Sequence, residues 1–215
     1  MKKKAQTQAF SLVELLVVLA IIALLAGLTA PAIISSMRQS QLSQAMQLVV
    51  NELDLAHRTA LTQNEVVEVR FYQFAKAGMP GETAGSPATG QYRALQCFQY
   101  NDSGVATQID KVIWLPGTII IASSSTLSSL LGSAQLKTNW SSADPQVSLP
   151  VVGSTYNACA FDFQTDGSTS LSPLGTQWFI TLINSSDPIV ASNLPKNFVT
   201  LQMDALNGHI QSFRP

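Results

Sequence analysis

The chain has 215 residues, enough for one domain plus an extra element. Charged residues make up 12% and the net charge is −1, with no basic cluster beyond Lys2, Lys3 and Lys4, which argues against a nucleic-acid partner. The apolar share is 46% and the mean hydropathy +0.20; the excess lies largely between Leu12 and Ile34, and Ser, Thr, Gln and Asn supply the polar remainder, a balance that suits an exported protein.

Residues 1–9, MKKKAQTQA, carry lysines and no acid, so they are expected on the cytoplasmic side of a membrane. Phe10-Ser11-Leu12-Val13-Glu14 follows, then an apolar run from Leu15 to Leu28 that continues, weakly polar, to Ile34. Residues 10–34 are long enough to cross ~30 Å of hydrocarbon as a helix. Three readings compete. The first is an ordinary signal peptide with a small-residue site at Ala30-Pro31-Ala32. The second is an uncleaved anchor, and the third a leader cut between Ala9 and Phe10 on the cytoplasmic face.

Glu14 discriminates among them. A carboxylate deep in an apolar segment costs on the order of a few kcal/mol, and neither a signal peptide nor a plain anchor has a use for it. Near the surface it can snorkel, or sit at a helix N-terminus. Removal of the leader, however, gives Phe10 an α-amino group at a similar depth. In an assembled fibre the Glu14 carboxylate of one subunit can then pair with the Phe10 amine of its neighbour.

Leu42, Met46, Val49, Leu53, Ala56 and Ala60 recur at alternating four and three, the period of one helix face, with Glu52, Asp54 and Arg58 expected to face elsewhere. The pattern predicts one helix from Phe10 to about Thr62, softened at Gly27 and Pro31. Its first half lies in lipid or fibre core; residues 35–62 are amphipathic and cross a sheet.

Residues 63–215 read as a β-rich head. Strands are predicted at 65–74, 92–100, 111–115, 118–122, 158–163, 178–183 and 198–203. A last hairpin turns at Asn207-Gly208 into His209–Phe213. Residues 77–91 and 123–148 read as loop insertions, the second a Ser-rich surface segment with one short helical turn. The fold class is therefore α+β: a long N-terminal helix on a small antiparallel sheet.

The junction Ala9-Phe10-Ser11-Leu12-Val13-Glu14-Leu15-Leu16 resembles the signature of type IV pilins and type II secretion pseudopilins. The resemblance implies a pilin-like fold, a prepilin peptidase that cuts before Phe10, N-methylation of Phe10, Glu14 as the assembly carboxylate, and Pro31 as the helix-kinking proline. The family strongly prefers Gly before the cut; here Ala9 stands there, small enough to be tolerated, with slower cutting left open. Ala56-His57-Arg58-Thr59-Ala60, Asn64-Glu65-Val66, Leu115-Pro116-Gly117-Thr118 and Phe161–Gly167 resemble general secretion pathway protein H and FimT-like minor pseudopilins. The two insertions resemble those of the Verru_Chthon cassette protein D family.

These resemblances imply a non-catalytic minor subunit of a type II secretion pseudopilus or type IV pilus-like fibre. Its partners would be other pilin-like subunits, the prepilin peptidase, an inner-membrane assembly platform and membrane lipid. It would reside in a bacterial inner membrane as a single-pass protein with its head outside the cytoplasm, and then in a periplasmic or cell-surface fibre. A membrane-tethered binding module or adhesin is the alternative, and a secreted enzyme released after Ala32 a distant third.

No chemistry stands out against this reading. His57 sits among apolar helix neighbours and His209 after a turn; no His/Cys spacing suits zinc. No phosphate loop or nucleophile elbow is present. Asp162, Asp166 and Gly167 are better read as a turn than as a calcium loop. No cofactor or metal is expected. Cys97 and Cys159 are either a disulfide in an oxidising compartment or two small buried thiols on separate strands.

Overall fold

The computed structural model describes residues 11–175, 177–187 and 195–215; the side chains of residues 28–32 are outside the description. The chain divides into two compact units, residues 1–40 and 41–215. Helix α1, Leu12–Gln63, supplies most of the first unit and one element of the second, and is helical throughout, Gly27 and Pro31 included. It stops where Asn64 takes a left-handed conformation (φ +54°), one of the few non-glycine residues that tolerate it at a helix C-terminus.

In the second unit the described residues form nine strands: β1 (Val66–Phe74), β2 (Gln91–Tyr100), β3 (Ala106–Gln108), β4 (Ile113–Trp114), β5 (Ile119–Ile121), β6 (Asn157–Phe163), β7 (Trp178–Asn184), β8 (Val199–Met203) and β9 (Ile210–Phe213). All pairings are antiparallel, in the order β6-β1-β2-β5-β7-β8-β9, with β3 and β4 also on β2. The α+β architecture read from the sequence is therefore present. The sheet is larger than expected, and β3 was not anticipated: Ala106-Thr107-Gln108 is too short to show alternation.

Leu42, Ala45, Val49, Leu53, Ala56 and Ala60 of α1 are buried against Val67, Val69 and Phe71 of β1, with Leu95, Cys97, Phe161 and Phe163. Ala45 rather than Met46 completes the stripe, and Met46 is half-buried. Glu52, expected to face away, is also buried, and its Oε1 has no hydrogen-bond partner. Burial pushes its carboxyl above the usual range.

The sheet's second face is buried as well. Glu68, Arg70 and Tyr72 alternate with the core residues of β1, the pattern of a face open to solvent, yet all three are buried. Leu127 and residues 137–156 cover that face, while Leu130 and Leu131 between them join the helix-side core. Trp140, Val147, Leu149 and Tyr156 pack on Tyr72, Phe74 and Ala94, while Leu127 joins Ile120, Ala122 and Ile183. The 123–148 insertion is thus a layer of the head with two short 3₁₀ turns, Ser129–Leu131 and Ser133–Gln135, not a surface excursion. Its apolar residues are spaced without period because they lie in irregular backbone. The other insertion stays a loop, closed tightly on β1. A Cβ at Gly90 would stand 2.1 Å from the Phe74 carbonyl carbon, so only glycine fits.

The final hairpin turns where expected, but over six residues. Asp204 N–H donates to His209 O (2.9 Å), and Gly208, not Asn207, carries the positive φ (+65°). Asn207 instead accepts from His209 N–H through Oδ1 (2.8 Å).

This core gives a direct expectation. A fragment from Gln39 onward, lacking the apolar segment, should express as a soluble monomer, because the α1 stripe is covered by its own sheet. Size-exclusion chromatography with light scattering checks it; an obligate oligomer would mean that the stripe belongs to an interface between subunits.

Candidate functional site

At the N-terminus, Ala9 and Phe10 lie outside the described residues. Ser11 is described, and it caps α1: its Oγ accepts from Glu14 N–H at 3.2 Å, and its carbonyl from Leu15 N–H at 3.2 Å. Glu14 therefore stands in the first turn, where the N-terminal helix dipole favours a carboxylate. The role of Ser11 was missed, although Ser-x-x-Glu ahead of an apolar run is a capping-box signature that the sequence shows. Beyond Glu14 the apolar side chains are unsheltered. Leu12, Val13, Leu15, Leu16, Ile21 and Leu24 are 53–79% exposed. Among the described residues no helix is long and apolar enough to cross a membrane; the apolar run continues into residues whose side chains are outside the description.

In the head, the charged side chains converge under the 137–156 layer. Arg70, fully buried, is ion-paired with Glu68 and Asp144. Lys137 closes the ring, 2.8 Å from Glu68 and 2.5 Å from Asp144. The Arg70 guanidinium lies over the Phe98 ring at 3.6 Å and near Trp140 at 5.3 Å, and donates to Tyr100 Oη at 3.1 Å. Burial alone would raise the Asp144 carboxyl, but Lys137 and Arg70 outweigh it and hold it below the usual range. Asp162, opposite Glu68 across β1 and β6, is pushed up to about 6 by burial and then by the Glu68 carboxylate. The arrangement is a buried, internally paired cluster: it fixes the covering layer to β1.

The two cysteines are free and buried. Cys97 is on β2 and Cys159 on β6, with β1 between them. Two strand spacings, ~9–10 Å, exceed the reach of a disulfide, so the pairing left open by the sequence is not formed. Burial raises both thiols, which makes them poor nucleophiles. His57 donates through Nε2 to Gly167 O (3.1 Å) beside Phe163, joining the helix end to the 164–168 turn. His209 is exposed. Asp166 Oδ1 accepts from Ser168 N and Oγ, so it serves the turn that it begins. Among the described residues no group of three or more His, Cys, Asp or Glu is placed to hold a metal.

No curated protein and no solved structure matches the chain. Residues 4–30 match the family described as Prokaryotic N-terminal methylation motif. That stretch takes in Lys4, the Ala9–Phe10 junction, the Ser11-capped turn with Glu14 and the apolar run, and it indicates a pilin-like protein processed by a prepilin peptidase.

Proposed function

We propose that the chain is a non-catalytic pseudopilin subunit, a minor component of a type II secretion pseudopilus or type IV pilus-like fibre. The observation that carries this reading is the helical segment after Glu14, whose described large apolar side chains are exposed around the helix. A helix apolar all round is stable only when buried. Residues 10–34 meet that need twice: first as a single-pass anchor in the inner membrane, with the head outside the cytoplasm, and then as fibre core, packed against the same segment of neighbouring subunits. Gly27 and Pro31 soften the helix so that the anchor can follow the curvature of the assembly.

Within that scheme each N-terminal residue has a task. The lysines hold the leader in the cytoplasm. The peptidase cuts between Ala9 and Phe10, and Phe10 is methylated on its new amine. Ser11 starts the helix. Glu14 offers its carboxylate to the Phe10 amine of the adjacent subunit on the assembly platform, where the two charges neutralise each other in a poorly solvated place. Mass spectrometry of the native protein tests the first step: the expected N-terminus is Phe10, N-methylated. A chain beginning at Ile33 would assign residues 1–32 to an ordinary signal peptide instead.

A further inference from the structure

Beside the N-terminal end of β2 lies a groove of about 770 Å³ that the assembly reading does not use. Its volume falls within the range of small-molecule sites. One wall is aromatic: Phe74 and Trp114 meet edge to face with ring centroids 5.6 Å apart. Leu115 and Ile119 continue that wall, and Val151 and Val152 face it from the turn joining Leu149 to Gly153. The groove's charge is one-sided. Lys76 and Arg93 line it, and among the described residues no acid does. Glu82, just outside, is ion-paired with Arg93 and accepts the backbone N–H of Lys76 at 2.7 Å, leaving one acid against two cations.

Two further features concern what is missing. The Arg93 side chain lines the groove at 9% exposure, and its one ion-pair partner among the described residues is Glu82, so Lys76 beside it is left without a carboxylate side-chain partner in the groove. Val151 stands at φ +71° with its side chain fully in solvent. A β-branched residue rarely adopts that conformation, and such strain gathers where loops clasp ligands. An occupant with an apolar body would shelter Val151, and an acidic group on it would meet the cationic side of the groove at Lys76 and the Arg93 guanidinium.

We infer that this groove binds a small organic acid with an aromatic or branched apolar body, the body against Trp114 and Val151 and the carboxylate held by Arg93 and Lys76. The apolar lining disfavours a sugar, whose hydroxyls would find few partners there beyond Ser86 and Thr155. The inference does not depend on fibre assembly.

The test uses the full chain in detergent, titrated calorimetrically with 3-phenylpropionate, against detergent blanks and the neutral 3-phenylpropan-1-ol. The acid should bind, and the alcohol should bind at least about tenfold more weakly, since hydrogen bonds to charged groups are the stronger ones. Lys76→Ala should weaken the acid several-fold and leave the alcohol unchanged. Gly117→Leu should abolish both. A Cβ there meets nothing within 4 Å, so the side chain fills the groove without disturbing the fold, which an unchanged melting temperature verifies. Equal binding of acid and alcohol, no binding of either, or full binding by Gly117→Leu would each overturn the inference.

Discussion

Replacing Glu14 with Leu is expected to leave membrane insertion and leader cleavage intact while removing the subunit from the assembled fibre. Insertion should hold or improve, because Leu costs less in lipid than a carboxylate. Cleavage should survive because Ala9 and Phe10 are untouched. The helix start should also survive, since the Ser11 cap reaches the backbone N–H of residue 14 and not its side chain. On the proposed pairing, what is lost is the partner of the neighbouring Phe10 amine. Breaking one side of a buried ion pair costs roughly 3–5 kcal/mol, against about 0–1 at a solvated surface. Since each 1.4 kcal/mol is a factor of ten, incorporation should fall by roughly two to three and a half orders of magnitude. The measurement is the ratio of assembled, shear-released subunit to total processed subunit. Wild-type incorporation of the processed variant would reduce Glu14 to a helix-end carboxylate.

Arg70→Leu carries the largest expected effect on the head. It leaves Glu68 and Asp144 buried together with Lys137 as their remaining partner in the ring. The loss should be roughly 3–5 kcal/mol, read as a shift in urea midpoint of the fragment from Gln39 onward. Adding Asp144→Leu restores a one-to-one pair of Glu68 and Lys137, and should recover much of the loss. The pH profile gives an independent check. The Asp144 carboxyl is depressed in the fold, so its contribution is full above its unfolded pKa and vanishes as the pH falls through the folded value. Asp162 is raised to about 6, so its contribution is present below its unfolded pKa and is lost as the pH climbs through 6. For these two groups stability should rise with pH up to about 4 and decline from there to 6. Arg70→Leu should shrink the rising limb and leave the decline in place.

The sequence was most legible where one periodicity governed a segment. The stripe from Leu42 to Ala60 and the alternation from Val67 to Phe71 placed α1 and β1 on opposite sides of one core, and the later strands were visible as β-branched or aromatic runs. Residues 123–156 were illegible for a physical reason. Leu127, Leu130, Leu131 and Leu149 are buried from irregular backbone and 3₁₀ turns, whose side chains follow no fixed repeat. On β1, nothing local to Arg70 announces that Asp144 will reach it or that Lys137 will reach Glu68. Glu52 misled in the same way: a carboxylate on a helix ordinarily marks the solvent side. At the N-terminus the opposite held, since the proposed roles of Phe10 and Glu14 rest on contiguous residues. The groove was invisible beforehand because Arg93 and Trp114 are on different strands and the turn at Val151 lies farther along.

The position of β1 between β2 and β6 bears on when the head can fold. Val67 pairs with Gln99 on one side and with Phe163 on the other, and the residues that neutralise Arg70 and Glu68 arrive only with the intervening layer. A hairpin of β1 and β2 alone would present an arginine and a glutamate on one face and an uncovered apolar surface on the other. Long-range closures of this kind are slow, because chain entropy is spent before the contacts that offset it are made. A chain emerging N-terminus first therefore reaches its protease-resistant state only after Phe163 has been made and can join β1.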